Sequence, residues 1–365
     1  MANSQVLFNS RVAETLAKAG HDVTMLMITA IDDFDSKDVK IMKEVKRLPY
    51  LGFICMGSQI ERTRESYGDL SEHVLPKGFL NWLEAEKFDL AFSHMYDVCP
   101  IGLIHYAKIP SWIWLNRIFA DDETAIFREL IGPDFPDLVD VAKKCPLVMV
   151  NSNELYDFPR PTLAKIVNIG GIGIQEKDAK PLPQEFQEIV DTAEGIVVFS
   201  FGTVAPSHKM PSKWKMAFID AFKRFPRYHF LCKYQGTDLH DKISLNIHLF
   251  KWLPQSDLLQ NPKTKAFISH GGYNSVQEAI SAGVPMITIP LFGDQPKNAK
   301  IAEKHQFAVS IRKSDLSADT IAEALSKILG DKRLLPSHHR LGACIGFHAL
   351  QRNKCVGVAI VNKLR

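Results

Sequence analysis

Short apolar runs alternate with helix-period segments along most of this chain, and that alternation constrains the fold more than any single motif. SRVAETLAKAG puts Val12, Leu16 and Ala19 on one helical face, stops at Gly20 and leads into the run DVTMLMI. FLNWLEAEK precedes FDLAF, IGLIHYAK precedes IPSWIWL, and PDLVDVAKK precedes PLVMVNS and then KIVNIGG. Strands without a polar face, separated by helices, predict a parallel sheet covered on both sides. The pattern lapses over residues 175–194, QEKDAKPLPQEFQEIVDTAE, whose charges and prolines read as a linker. It resumes with GIVVFSFG and the helix PSKWKMAFIDAFKRF, with Trp214, Ala217, Phe218, Ala221, Phe222 and Phe225 on one stripe. YHFLCKY, HLFKWL, KAFISHGG and VPMITIP supply further strands. The expectation is an α/β chain with a first domain over 1–174, a linker over 175–194, a second domain over 195–333 and a divergent tail over 334–365. A ligand would sit in the cleft between the domains.

Composition removes several classes. A chain of 365 residues suits two domains, and 46% hydrophobic with 23% charged residues is the make-up of a globular protein. A net charge of +3 gives no footprint for nucleic acid. Cys55, Cys99, Cys145, Cys232, Cys344 and Cys355 form no C-x-x-C pair and lie mostly in apolar runs, which predicts free thiols. His338 and His339 are adjacent, with no acid or cysteine at useful spacing, so no metal site is expected there. No apolar run reaches the roughly eighteen residues of a membrane span. The start, MANSQVLFNSRVAET, lacks a charged segment followed by an apolar one. The chain as written is therefore expected to be soluble.

The chemistry concentrates in KAFISHGGYNSVQEAISAGVPMITIP. A strand opens into His270, Gly271 and Gly272; Asn274 or Ser275 is the expected N-cap of the next helix, and Gly283 and Pro285 close it. A helix amino terminus at a strand's carboxyl edge offers free N–H groups and a positive dipole, which suit phosphate. Glycines let the backbone approach closely, and His270 adds a donor. Trp252 offers a face on which a nucleobase stacks, and Gln255 can bond the base edge. Glu278 suits a ribose diol, Asp294 and Gln295 suit sugar hydroxyls, and Gly202 with Thr203 makes a second turn suited to phosphate. Taken alone, the stretch around His270 also fits a plain strand–turn–helix.

Together, WLPQ…HGGYNSVQEA…GVP…P…DQ over residues 252–295 resembles the signature of the UDP-glycosyltransferases, including the animal UDP-glucuronosyltransferases. The likeness extends upstream through VVFSFGTVA and GPDFPDLVDVAKKCPLVMVNSNELYDFPRP, in a style similar to nematode members, and fades after Arg333. The resemblance implies the GT-B fold: two Rossmann-like domains with parallel sheets facing across a cleft, the second binding UDP-sugar and the first the acceptor. It implies Trp252 and Gln255 on uracil, Glu278 on ribose, His270, Gly272, Asn274 and Ser275 on the diphosphate, and Asp294 and Gln295 on the sugar. It further implies transfer of glucuronic acid or another hexose from UDP-glucuronate or UDP-glucose, with inversion, to a small lipophilic alcohol or phenol. No metal and no cofactor beyond the UDP-sugar co-substrate is expected, since helix dipole and donors neutralise the diphosphate. Homo- or hetero-oligomers with family members and residence at the endoplasmic reticulum membrane also follow from the resemblance.

The pattern breaks at the catalytic base. Family members use a histidine near the amino terminus, and counting back from Gly20-His21 places it at Gln5, an amide that cannot take a proton. The partner acid is expected after FDLAF, where this chain has His94, with Asp97 three residues on. Two readings follow: His94 is the base oriented by Asp97, or the chain is a UDP-sugar-binding, catalytically impaired member acting as a non-enzymatic partner. The family's first strand is missing, and the stretches between Ile28 and Phe88 and after WIWLN look shorter than in relatives, as in a truncated gene model. A dinucleotide-binding reading of NIGGIGIQE fails, because from Gly171 and Gly173 the third glycine position is Glu176.

Overall fold

A computed structural model describes residues 3–29, 45–51, 77–92, 99–113, 120–170, 181–203 and 205–330. In the first half, helix α1 (Asn3–Lys18) leads into strand β1 (Thr24–Thr29), which pairs in parallel with β2 (Lys46–Leu51). Helix α2 (Lys77–Ala85) precedes β3 (Leu90–Phe92), and α3 (Cys99–Tyr106) crosses to its parallel partner β4 (Ser111–Ile113). Helices α4 (Ala120–Leu130) and α5 (Leu138–Lys143) follow, then the parallel pair β5 (Val148–Val150) and β6 (Ile166–Asn168). Asp137 caps α5 by accepting from the Val139 N–H at 2.8 Å.

Leu80, Ile101, Ile104, Phe127, Leu138 and Val148 bring four of these helices and β5 into one apolar core. Phe127 fills the space over α3, where a Cβ added to Gly102 would lie 2.2 Å from its ring. Helical propensity alone favours alanine over glycine by about 1 kcal/mol. Overpacking by about 1–3 kcal/mol outweighs that gain. Gly102→Ala is therefore expected to lower the melting temperature, and an unchanged or raised value in a thermal melt would contradict this packing.

The second half is a single parallel sheet in the order β12-β11-β10-β7-β8-β9. Its strands are β7 (Gly195–Ser200), β8 (Tyr228–Lys233), β9 (Ile247–Phe250), β10 (Thr264–Ser269), β11 (Met286–Thr288) and β12 (Ala308–Ser310). The helices are α6 (Gln184–Thr192), α7 (Ser212–Lys223), α8 (Gln255–Gln260), α9 (Tyr273–Ala282), α10 (Gln295–Lys304) and α11 (Ala318–Gly330). All six residues of β7 are buried. Val197 and Phe199 face one layer, with Phe218, Phe222, Ile321 and Leu325 of α7 and α11. Ile196 and Val198 face the other, with Phe186, Leu258, Val276 and Ile301 of α6, α8, α9 and α10. Burial on both sides explains why these strands read as unbroken apolar runs.

One expectation needs correction. The stretch 175–194 was expected to be a linker, yet residues 184–192 form α6, whose Phe186 and Val190 are buried in the second half's core. A short amphipathic stripe among charges and prolines hid it.

The loop after β5 fastens the two halves. Tyr156 is buried against Tyr273, His305 and Phe307, and the His305 Nε2 lies 2.8 Å from the Tyr156 carbonyl. Asp157 accepts from Ser152 Oγ at 2.7 Å and pairs with Lys297 at 3.0 Å and Arg160 at 3.1 Å. Burial alone would raise the Asp157 pKa, but the bonds from Ser152, Lys297 and the Phe158 N–H outweigh it and hold the carboxyl below its ordinary value. Cys145 and Cys232 are buried free thiols. Among the described residues, no helix is long and apolar enough to cross a membrane.

Candidate active site

The sheet order reverses between β7 and β10: the chain builds outward to β8 and β9 on one side, then to β11 and β12 on the other. Ligands of open parallel sheets bind at such a reversal, beyond the strands' carboxyl ends. Here the two central strands end alike. Ser200 and Ser269 are register partners, and each hydroxyl accepts from the N–H of a glycine two residues on, Gly202 at 3.2 Å and Gly271 at 3.3 Å. Both glycines have positive φ, +76° and +80°, which side chains rarely adopt.

His270 lies between these turns. A Cβ on Gly202 would stand 3.0 Å from its Cε1, and one on Gly272 would stand 2.7 Å from its Nε2. The glycine at 272, expected to admit a phosphate, thus makes room for the imidazole. Burial pushes the His270 pKa down to about 4; the Asp294 carboxylate opposes that shift and the Lys233 ammonium adds to it. Near neutral pH the ring carries no charge and offers one N–H donor and one acceptor.

Helix α9 begins at Tyr273 with Gly272 as its N-cap and no side-chain cap bond. Contrary to the expectation from the sequence, neither Asn274 nor Ser275 caps it; both sit in its first turn. Gly272 in an extended conformation lets the helix start early and leaves the helix mouth without a side chain across it. Gly283, at φ +66°, closes the helix as expected. The Asn274 Oδ1 lies 3.4 Å from Asn151 Nδ2, whose Oδ1 accepts from Gln277 at 2.9 Å.

Gln255 opens α8 and donates to Glu278 Oε2 at 2.8 Å and to Ser275 Oγ at 3.4 Å. Trp252 is 64% exposed and lies at the same sheet edge. The Lys233 Nζ, at the end of β8, is 4.6 Å from the Trp252 ring centroid. Thr203 is exposed beyond Gly202.

Asp294 is exposed at the start of α10 and accepts from Asn298 Nδ2 at 2.8 Å. The same amide reaches the Gly271 carbonyl at 3.0 Å, joining the Asp294 loop to the His270 turn. Gln295 opens α10 beside Asp294. It is buried, and its Oε1 accepts from the N–H groups of Leu291 at 2.7 Å and Phe292 at 3.1 Å. Its carbonyl builds the turn that presents Asp294 and has no lone pair directed freely outward.

The structure thus brings Gly202, Trp252, Gln255, His270, Gly272, Asn274, Ser275, Glu278 and Asp294 to one edge. Sequence reasoning missed Lys233, Asn298 and Arg11, whose Nη2 pairs with Glu278 Oε1 at 3.0 Å. Lys233 had a readable signal, a lysine ending an apolar strand on the ligand edge; Arg11 had none. His94 and Asp97 lie outside the described residues. Gln5 lies in the first turn of α1.

Comparison with known proteins gives the family and the fold. Residues 113–340 match the family model described as UDP-glucoronosyl and UDP-glucosyl transferase. The human UDP-glucuronosyltransferase 3A2 is 37% identical, over 91% of this chain and 77% of that protein. The Caenorhabditis elegans protein ugt-47, assigned to the UDP-glucuronosyltransferases, is 28% identical over 98% of this chain and 80% of its own. That match runs over 434 residues against 365 here, so ugt-47 carries additional residues inside the matched span. The crystal structure of the glycotransferase of kitacinnamycin superposes with a TM-score of 0.66 at 17% identity, covering 95% of this chain and 94% of that one, and establishes the GT-B fold. A family match over more than half the chain, joined to a human relative that shares most of its length, places this protein in the UDP-glucuronosyl and UDP-glucosyl transferase family.

Proposed function

We propose that this chain transfers a hexose, glucuronic acid or glucose, from its UDP-sugar to a hydroxyl of a small lipophilic alcohol or phenol, with inversion. The observation that carries the donor half is the convergence at the sheet reversal of an exposed indole, an open helix mouth, a neutral buried imidazole and an acid held by an amide. Uracil stacks on Trp252 with Gln255 at its edge, the ribose hydroxyls meet Glu278, and the diphosphate lies at the amino terminus of α9 with His270 as a donor. Asp294 meets the sugar. Residues 195–333, with α6, hold the donor, and residues 1–174 the acceptor.

In the reaction the acceptor oxygen attacks the anomeric carbon while its proton passes to a base, read here as His94 oriented by Asp97. The bond from that carbon to the diphosphate oxygen breaks, and UDP leaves with the electron pair. N–H donors aimed at the diphosphate stabilise the leaving charge, so no metal enters the scheme. Residence at the endoplasmic reticulum membrane is part of this proposal, and family resemblance alone supports it.

Calorimetry with UDP tests the donor half. The intact chain is expected to bind UDP, and Trp252→Ala to weaken it about ten- to a hundredfold, as loss of an aromatic stacking partner does. No binding by the folded chain, or no effect of Trp252→Ala, would overturn the reading.

A further inference from the structure

An arginine in the candidate site comes from the opposite end of the chain. Arg11, in the third turn of α1, places its Nη2 3.0 Å from Glu278 Oε1, with 22% of its own side chain exposed and 13% of Glu278's. Gln255 holds the other oxygen at 2.8 Å and reaches Ser275 Oγ at 3.4 Å. Arg11, Glu278, Gln255 and Ser275 thus form one line of contacts joining α1, α9 and α8. A carboxylate has about four lone-pair sites, so two donors leave room for a diol. They also fix the plane in which those remaining sites lie, and the rigid guanidinium does so more firmly than an ammonium. A bare carboxylate on the helix that receives a diphosphate would also repel it; the arginine offsets that charge.

We propose that Arg11 is a positioning residue of the nucleotide site, acting through Glu278 to set recognition of the ribose hydroxyls. The first helix of the chain then takes part in choosing the donor, although it belongs to the half assigned to the acceptor. The proposal rests on the UDP-sugar reading above.

Binding of UDP and of 2′-deoxy-UDP to the full chain, measured by calorimetry, tests it. The unaltered chain is expected to prefer UDP by about tenfold or more, the value of hydrogen bonds to a charged group. Arg11→Ala is expected to erase most of that preference by weakening UDP alone, and Arg11→Lys to recover part of it. Glu278→Gln should lose the same preference, and the double variant should lose no more than either single one. A preference unchanged in Arg11→Ala, or equal weakening of both nucleotides, would overturn the proposal and leave UDP binding standing. Failure of the unaltered, folded chain to bind UDP would overturn the donor reading and this proposal with it. Arg11→Gln with a normal thermal melt replaces Arg11→Ala if the latter does not fold.

Discussion

Replacing Gly272 with alanine is expected to lower kcat/KM for sugar transfer by about a hundredfold, the scale set by a misplacement of about 1 Å in an active site. The new methyl would stand 2.7 Å from His270 Nε2 and 2.8 Å from Cε1. The ring has little room to yield, because the space above Gly202 is the opposite wall of its slot. It must swing toward the place read as the diphosphate seat, or push back the first turn of α9; either motion misaligns the donors meant for the leaving group. Overpacking costs about 1–3 kcal/mol, so the variant should still fold. Steady-state kinetics with a UDP-sugar and a phenolic acceptor, beside a thermal melt, check this. Wild-type kcat/KM in a folded Gly272→Ala chain would show that the glycine serves the turn alone.

The arrangement of the second half was legible because its physics is local. Strands such as GIVVFS are buried on both faces, so their composition announces a covered parallel sheet before any contact is known. The stripe Ala217, Phe218, Ala221, Phe222 is likewise buried as a helical period predicts. Where local signals were weak, reading failed. Helix α6 buries Phe186 and Val190 and packs Ile189 against the core, a short stripe set among acids and prolines that look like a connection.

Site chemistry divides along the same line. Trp252, Gln255, His270 and Glu278 follow strand ends, and a parallel sheet gathers strand ends at one edge, so residue type and order sufficed. The cap on α9 was misplaced because Asn and Ser are good caps in general, whereas here an extended glycine starts the helix two or three residues sooner. Gln295 has a second task that type alone does not announce: its oxygen answers two backbone N–H groups that no pattern shows to be in need of a partner. Arg11 was invisible because its partner stands 267 positions away, and only the tertiary fold brings the two together.

The largest effect is expected at the residue read as the base. His94→Ala should reduce transfer by about a hundred- to ten-thousandfold, the range spanned by general base catalysis, while UDP affinity stays unchanged. A hydroxyl acceptor must lose its proton as the new bond forms, and resemblance to the family points for that task to the position of Gln5, an amide with no basic nitrogen. His94 follows the short strand β3 with Asp97 close behind, which gives an imidazole and a carboxylate to orient it. Asp97→Asn should then lower the rate less than His94→Ala, because it disturbs orientation and leaves the base in place. Single-turnover transfer together with UDP calorimetry separates the cases. Equal turnover in His94→Ala and the unaltered chain would remove His94 from the chemistry. Tight UDP binding by an unaltered chain that transfers nothing would make Gln5 the decisive departure, and the protein a donor-binding partner of active relatives. Gln5→His would then be the variant expected to gain transfer, since it restores a titratable nitrogen at the family's position for the base.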